Sequence, residues 1–258
     1  MLELPSDQIH LWFTFDGDVR ETRLLADYRK LLTDEERAQE RRFHFAKHQR
    51  QYLITRALVR TVLSRYTVVK PEHWRFLNNA YGRPAIQSDD DSAGALSFNI
   101  SHTEGLIVCA VARDREIGVD VENIRHRQVS LDIADHFFSS AEAAALRAIP
   151  PDKQQEGFFH YWTLKESYIK AKGEGLSIPL DQFSFTSPEA RNIAISIDAK
   201  LNDSPINWRF WQMQPSPEHL AAVCVQRADS GPQRLVLRRV IPLDTDEPFE
   251  CPVLRQTA

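Results

Sequence analysis

Ile117-Gly118-Val119-Asp120-Val121-Glu122, and some forty residues later Trp162-Thr163-Leu164-Lys165-Glu166-Ser167-Tyr168-Ile169-Lys170-Ala171-Lys172-Gly173, decide how this chain is read. Side chains alternate between the faces of a β-strand, so the first stretch sets Asp120 and Glu122 on one face and Ile117, Val119 and Val121 on the other. In a helix, Trp162, Glu166 and Lys170 fall four residues apart and share a face, beside a stripe of Tyr161, Leu164, Tyr168 and Ala171 suited to burial. Two strand carboxylates with a carboxylate and an ammonium on a helix form the pattern of a magnesium and pyrophosphate site. Magnesium takes near-octahedral oxygen coordination from one or two carboxylates, with phosphates and water completing the shell. Asp120, Glu122 and Glu166 supply that chemistry. Taken singly, each half has an ordinary explanation, a solvated strand face and an exposed helix ion pair. Their conjunction, together with Gly173-Glu174-Gly175-Leu176 at the helix end, favours a site.

Upstream, Ile9 to Phe15 is β-rich and runs into the turn Asp16-Gly17-Asp18, and Glu21 to Leu32 has helical spacing. Thr33 with Glu36 is a capping box that opens a basic helical region reaching Tyr66, with a break expected near His44 to Lys47. Short β-prone runs follow at Trp74 to Leu77, Leu96 to Ile100, Leu106 to Ala112 and Ile117 to Val121. Ser139 with Glu142 is a second capping box, and Asp152 to Lys172 is the longest helix, ended by Gly173. Phe183 to Phe185, Ile193 to Ile197, Asn207 to Gln212 and Ala221 to Val225 read as strands. Beyond Ala228 the chain is weakly patterned, with one β-like run at Leu235 to Val240, and reads as an appendage. Nothing in it repeats, which excludes a solenoid, and the fold class is α+β.

The 258 residues are 42% hydrophobic and 26% charged, enough for a sizeable core, and a net charge of -4 argues against overall attraction to nucleic acid or an anionic membrane. Cys109, Cys224 and Cys251 are odd in number and widely spaced, so neither a disulfide framework nor a cysteine zinc site is expected. No apolar leader or membrane-length run is evident, and a cytoplasmic, monomeric protein is the expectation. Phe98-Asn99-Ile100-Ser101-His102-Thr103 ends a strand in groups able to hydrogen-bond a phosphate, although a self-satisfied turn explains it equally well. His44 and His48 lack the intervening glutamate of a zinc helix. Arg37, Arg41, Arg42, Lys47, Arg50, Arg56 and Arg60 read as a solvated basic face or as phosphate-positioning groups, and Arg83 sits in a tight Gly82-Arg83-Pro84 turn.

In order and spacing, the Gly82-Arg83-Pro84 turn, the Phe98–Thr103 segment, the Gly118–Glu122 strand and the Trp162–Gly173 helix resemble the 4′-phosphopantetheinyl transferases of the surfactin-synthetase-activating type. These convert apo carrier proteins to the holo form with coenzyme A. The resemblance implies two similar, pseudo-twofold-related α+β halves with the active site in the cleft between them. The N-terminal half would be 1–115, the C-terminal half 116–228, and 229–258 an extension without an assigned role. It further implies Asp120, Glu122 and Glu166 as magnesium ligands, Lys170 beside the pyrophosphate, Ser101 and His102 near the coenzyme A 3′-phosphate, Arg83 beside the adenine nucleotide and Arg50 as a phosphate contact. Glu36 and Gln39 stand where members of the family carry lysines, so for that part of the phosphate binding neighbouring arginines are the candidate substitutes. The implied reaction is attack of a serine of an apo acyl or peptidyl carrier protein on the β-phosphorus, releasing adenosine 3′,5′-bisphosphate. Glu166, or water on the metal, would take the proton. Arg125 to Arg127 are candidates for carrier docking. A magnesium-dependent phosphate or nucleotide hydrolase and a noncatalytic nucleic-acid-binding module are the alternatives.

Overall fold

The first apolar run forms β1 (Gln8–Phe15), buried along all but its two ends: Ile9, Leu11 and Phe13 make one face apolar, and on the other His10, Trp12 and Thr14 are buried with hydrogen-bond partners. Three helices follow, α1 (Thr22–Leu31), α2 (Asp34–Arg42) and α3 (Ala46–Leu63). The expected break lies at Phe43 and Phe45, both extended. Then come β2 (Arg75–Asn78), β3 (Pro84–Gln87), the single turn α4 (Asp91–Gly94), β4 (Leu96–Thr103), β5 (Leu106–Arg113) and β6 (Ile117–Asn123). The chain continues through α5 (Asp132–Phe137), α6 (Ser140–Ala148) and the long α7 (Pro151–Lys172). It ends in β7 (Phe183–Phe185), β8 (Ile195–Ile197), β9 (Trp208–Ser216), β10 (His219–Gln226), β11 (Arg234–Val240), β12 (Asp246–Pro248) and β13 (Val253–Gln256). This computed structural model describes residues 1–87, 91–125, 129–228 and 231–258.

The chain forms two compact units. The first comprises Met1–Asn78, Pro84–Asp114 and Ser230–Glu250; the second comprises Asn79–Arg83, Arg115–Asp229 and Cys251–Ala258. In the first, a sheet of order β12-β11-β1-β5-β4 is antiparallel except where β1 meets β11. Leu53, Leu58 and Val62 of α3 join Trp12, Ile107, Cys109 and Val111 in its core. The expected solvated basic face is partly turned inward. Arg60 is fully buried, donating to Glu36 and to the carbonyls of Pro71 and Trp74, and Arg56 also donates to Glu36. Buried guanidinium groups need such partners. Glu36 thus closes the capping box with Thr33 and clamps two arginines.

In the second unit, β13-β9-β10-β6 is an antiparallel sheet, and α7 packs on it through β6 and β10. Leu164, Tyr168 and Ala171 share a core with Phe210, Leu220, Ala222 and Cys224. The segment expected as an appendage is part of both sheets, with β11 and β12 in the first and β13 in the second. Two of its arginines are paired, Arg239 with Asp18 and Arg238 with Asp246. Cys109, Cys224 and Cys251 are free thiols, the first two buried. Among the described residues no helix is long and apolar enough to cross a membrane.

Candidate active site

Gly118 explains how strand and helix motifs come together. A Cβ at this position would collide with Ser167 O and Ala171 N, so only glycine lets β6 and α7 approach this closely. Asp120 and Glu122 lie on the same strand face as Gly118, the face toward α7, opposite Ala222 and Leu220 of β10. Both carboxylates are buried, at 5% and 7% exposure. Lys170 donates from Nζ to Asp120 Oδ1 at 2.7 Å, joining helix face and strand. Glu166, half-buried, lies one helical turn before Lys170 on that face. Among the described residues no group of three or more His, Cys, Asp or Glu side chains is placed to hold a metal ion. The convergence expected from the sequence is therefore seen as a carboxylate–ammonium pair beside a second buried carboxylate.

The opposite side of α7 holds residues that the sequence reading passed over. Lys165 has no exposed surface, and its ammonium donates to Glu142 Oε2 at 2.8 Å and to the carbonyls of Leu180 and Phe183, both at 2.7 Å. Burial holds its pKa below the usual lysine value, and the Glu142 carboxylate opposes that shift. At the helix end, Asp203 accepts from Tyr168 Oη and Trp208 Nε1, each at 2.8 Å, and pairs with Lys172 at 3.3 Å. Burial raises the Tyr168 phenol's pKa, and its bond to Asp203 adds to the rise. The capping box was the only sequence signal for Glu142, and Lys165 gave none, since lysine is seldom fully buried.

Arg83 is occupied locally. It donates to Glu116 Oε2 at 2.7 Å, to Ala171 O at 2.6 Å and to Ile117 O at 3.2 Å, while Asn79 Nδ2 reaches Gly173 O at 2.7 Å. The turn around Gly82 thereby fastens to the C-terminal end of α7, which Gly173 caps at φ 72°. Arg50, Ser101 and His102 belong to the first unit. Arg50 donates to the carbonyls of Asp16 and Val19, Ser101 is buried on β4, and His102 is exposed. Glu36 and Gln39 line a cavity of about 550 Å³ with Tyr52, Arg56, Arg75 and Phe76. Arg125 is exposed, and Arg127 lies outside the described residues.

The family described as the 4′-phosphopantetheinyl transferase superfamily matches residues 116–224, and a 4′-phosphopantetheinyl transferase N-terminal family matches residues 21–114. The 4′-phosphopantetheinyl transferase HetI of Nostoc sp. strain PCC 7120 is 34% identical over 225 residues, covering 87% of this chain and 90% of that protein. This chain belongs to the 4′-phosphopantetheinyl transferase superfamily. The transferase is likewise similar to Sfp of Bacillus subtilis strain 168, 34% identical over 202 residues, or 78% of this chain and 85% of that one. It is an enzyme that transfers phosphopantetheine to carrier proteins, and its family implies coenzyme A as substrate. Neither the hydrolase nor the nucleic-acid-binding alternative is favoured by these similarities.

Proposed function

We propose that this transferase moves the 4′-phosphopantetheine group of coenzyme A to a serine of an apo acyl or peptidyl carrier protein, acting as a cytoplasmic monomer with Asp120, Glu122, Glu166 and Lys170 at the reacting centre. The observation that carries this reading is the 2.7 Å contact of Lys170 with Asp120, which joins the two sequence motifs at one place. Asp120, Glu122 and Glu166 would hold magnesium, which when bound offsets the charge of the pyrophosphate and of the departing bisphosphate. The fit rests on donor chemistry: two buried carboxylates on one strand face offer the one or two hard oxygen ligands that a phosphate-bound magnesium needs.

The chain's own groups do the rest. Serine is a poor nucleophile at neutral pH, so Glu166 accepts the hydroxyl proton as the oxygen bonds to the β-phosphorus and the phosphoanhydride bond breaks. Lys170 supplies positive charge to the pyrophosphate and is held in place by Asp120. Arg83, Ser101, His102 and Arg50 are proposed coenzyme A contacts, with Arg125 toward the carrier. Asp120→Ala and Glu166→Gln are each expected to lower turnover at least about 100-fold while circular dichroism stays native. Near wild-type turnover in either variant would refute the assignment.

A further inference from the structure

Lys165 precedes Glu166 in the helix yet is directed away from it. Its three ammonium protons meet three acceptors on different pieces of chain: Glu142 of α6, Leu180 of the following turn and Phe183 at the start of β7. The Phe183 ring centroid lies 4.3 Å from Nζ on a further side. Glu142 is fixed just as fully, accepting from the backbone N–H of Ser139 and from that of Phe185, each at 2.9 Å. Burial of an apolar pair of similar volume retains stability as well as an ion pair does, so packing alone gives no reason for charges here. Directional bonds to three separate segments, in contrast, define a position. Glu166 and Lys170 lie about 100° and about 140° around the helix from Lys165, so an anchored Lys165 sets the rotation and height of both. Gly118 sets the remaining coordinate, the separation of α7 from β6.

We infer that Lys165, through its buried pair with Glu142, is a positioning residue for the transfer, holding α7 where Glu166 and Lys170 meet the strand face of Asp120 and Glu122. This rests on the roles given to Glu166 and Lys170 under Proposed function. Lys165→Met alone strands Glu142 without its cation and lowers Tm. Lys165→Met combined with Glu142→Gln removes both charges and keeps a residue suited to the capping box. Tm, and kcat and KM for coenzyme A with an apo carrier protein, are measured on the double variant. Positioning predicts Tm within a few degrees of wild type, KM within about twofold, and kcat lower by about 10- to 100-fold, the scale of a misplacement near 1 Å. Wild-type kcat in a stable double variant overturns the inference. So does a double variant that does not fold, since the pair is then a requirement of folding. Failure of the underlying reading shows separately, as undiminished turnover in Glu166→Gln or no transfer by the wild-type protein.

Discussion

Asp120 and Lys170 form the ion pair through which strand and helix meet, and Gly118, two positions before Asp120, makes their approach possible. Gly118→Ala places a methyl group against the helix backbone at Ser167 and Ala171, atoms that cannot rotate aside. The expected cost is about 3 kcal/mol in a urea unfolding curve, with activity falling further than stability, because widening the gap moves Lys170 from Asp120. A variant as stable and active as wild type would show that β6 and α7 do not pack as described. The Asp120–Lys170 contact was legible in the sequence, since periods of two and four are local properties that set each residue on its face. Lys165 was not, because its partners Leu180 and Phe183 become neighbours only after folding.

Helices α2 and α3 show the same contrast at the level of elements. Thr33 and Glu36 announce the helix start, yet Glu36 also neutralises Arg56 and the fully buried Arg60, which sequence alone reads as solvated charges or phosphate-positioning groups. Glu36→Ala is expected to destabilise by about 3–5 kcal/mol, measured by chemical denaturation, because it leaves a buried guanidinium uncompensated. Glu36→Gln, which keeps a capping side chain, should lose less. Strand β1 adds a pH response. His10 hydrogen-bonds Tyr66 Oη at 2.9 Å and Gln8 Oε1 at 3.0 Å, and burial, with help from Arg238, lowers its pKa from 6.5 to about 4. The unfolded chain binds this proton first, so stability is full above pH 6.5 and drains away toward about pH 4, by about 2–3 kcal/mol. Unfolding curves across that interval should show the loss, and His10→Gln should flatten it; an unchanged slope in the variant would assign the loss to other groups.

For the whole molecule, the tail is the main departure from the sequence reading. Strands β1, β4, β5 and β6 and helix α7 were legible because each carries its own apolar pattern. Arg234-Leu235-Val236-Leu237-Arg238-Arg239-Val240 carries one too, but Arg239 finds Asp18 only in the assembled first unit, so the stretch reads as peripheral. Yet β11 pairs in parallel with β1 from Gln8 to Phe13, and Val240 and Pro242 carbonyls accept from Thr14 and Tyr28. Deleting residues 231–258 is expected to lower Tm by more than about 10 °C or to abolish soluble expression, whereas an appendage would leave both unchanged. The activity assigned to this molecule is open to one direct measurement: intact mass of an apo carrier protein after incubation with the wild-type chain, coenzyme A and magnesium, beside a chelator control. The expected result is one phosphopantetheine added to the carrier serine with magnesium and none with chelator. A carrier of unchanged mass with magnesium, or equal modification in the chelator, would contradict it.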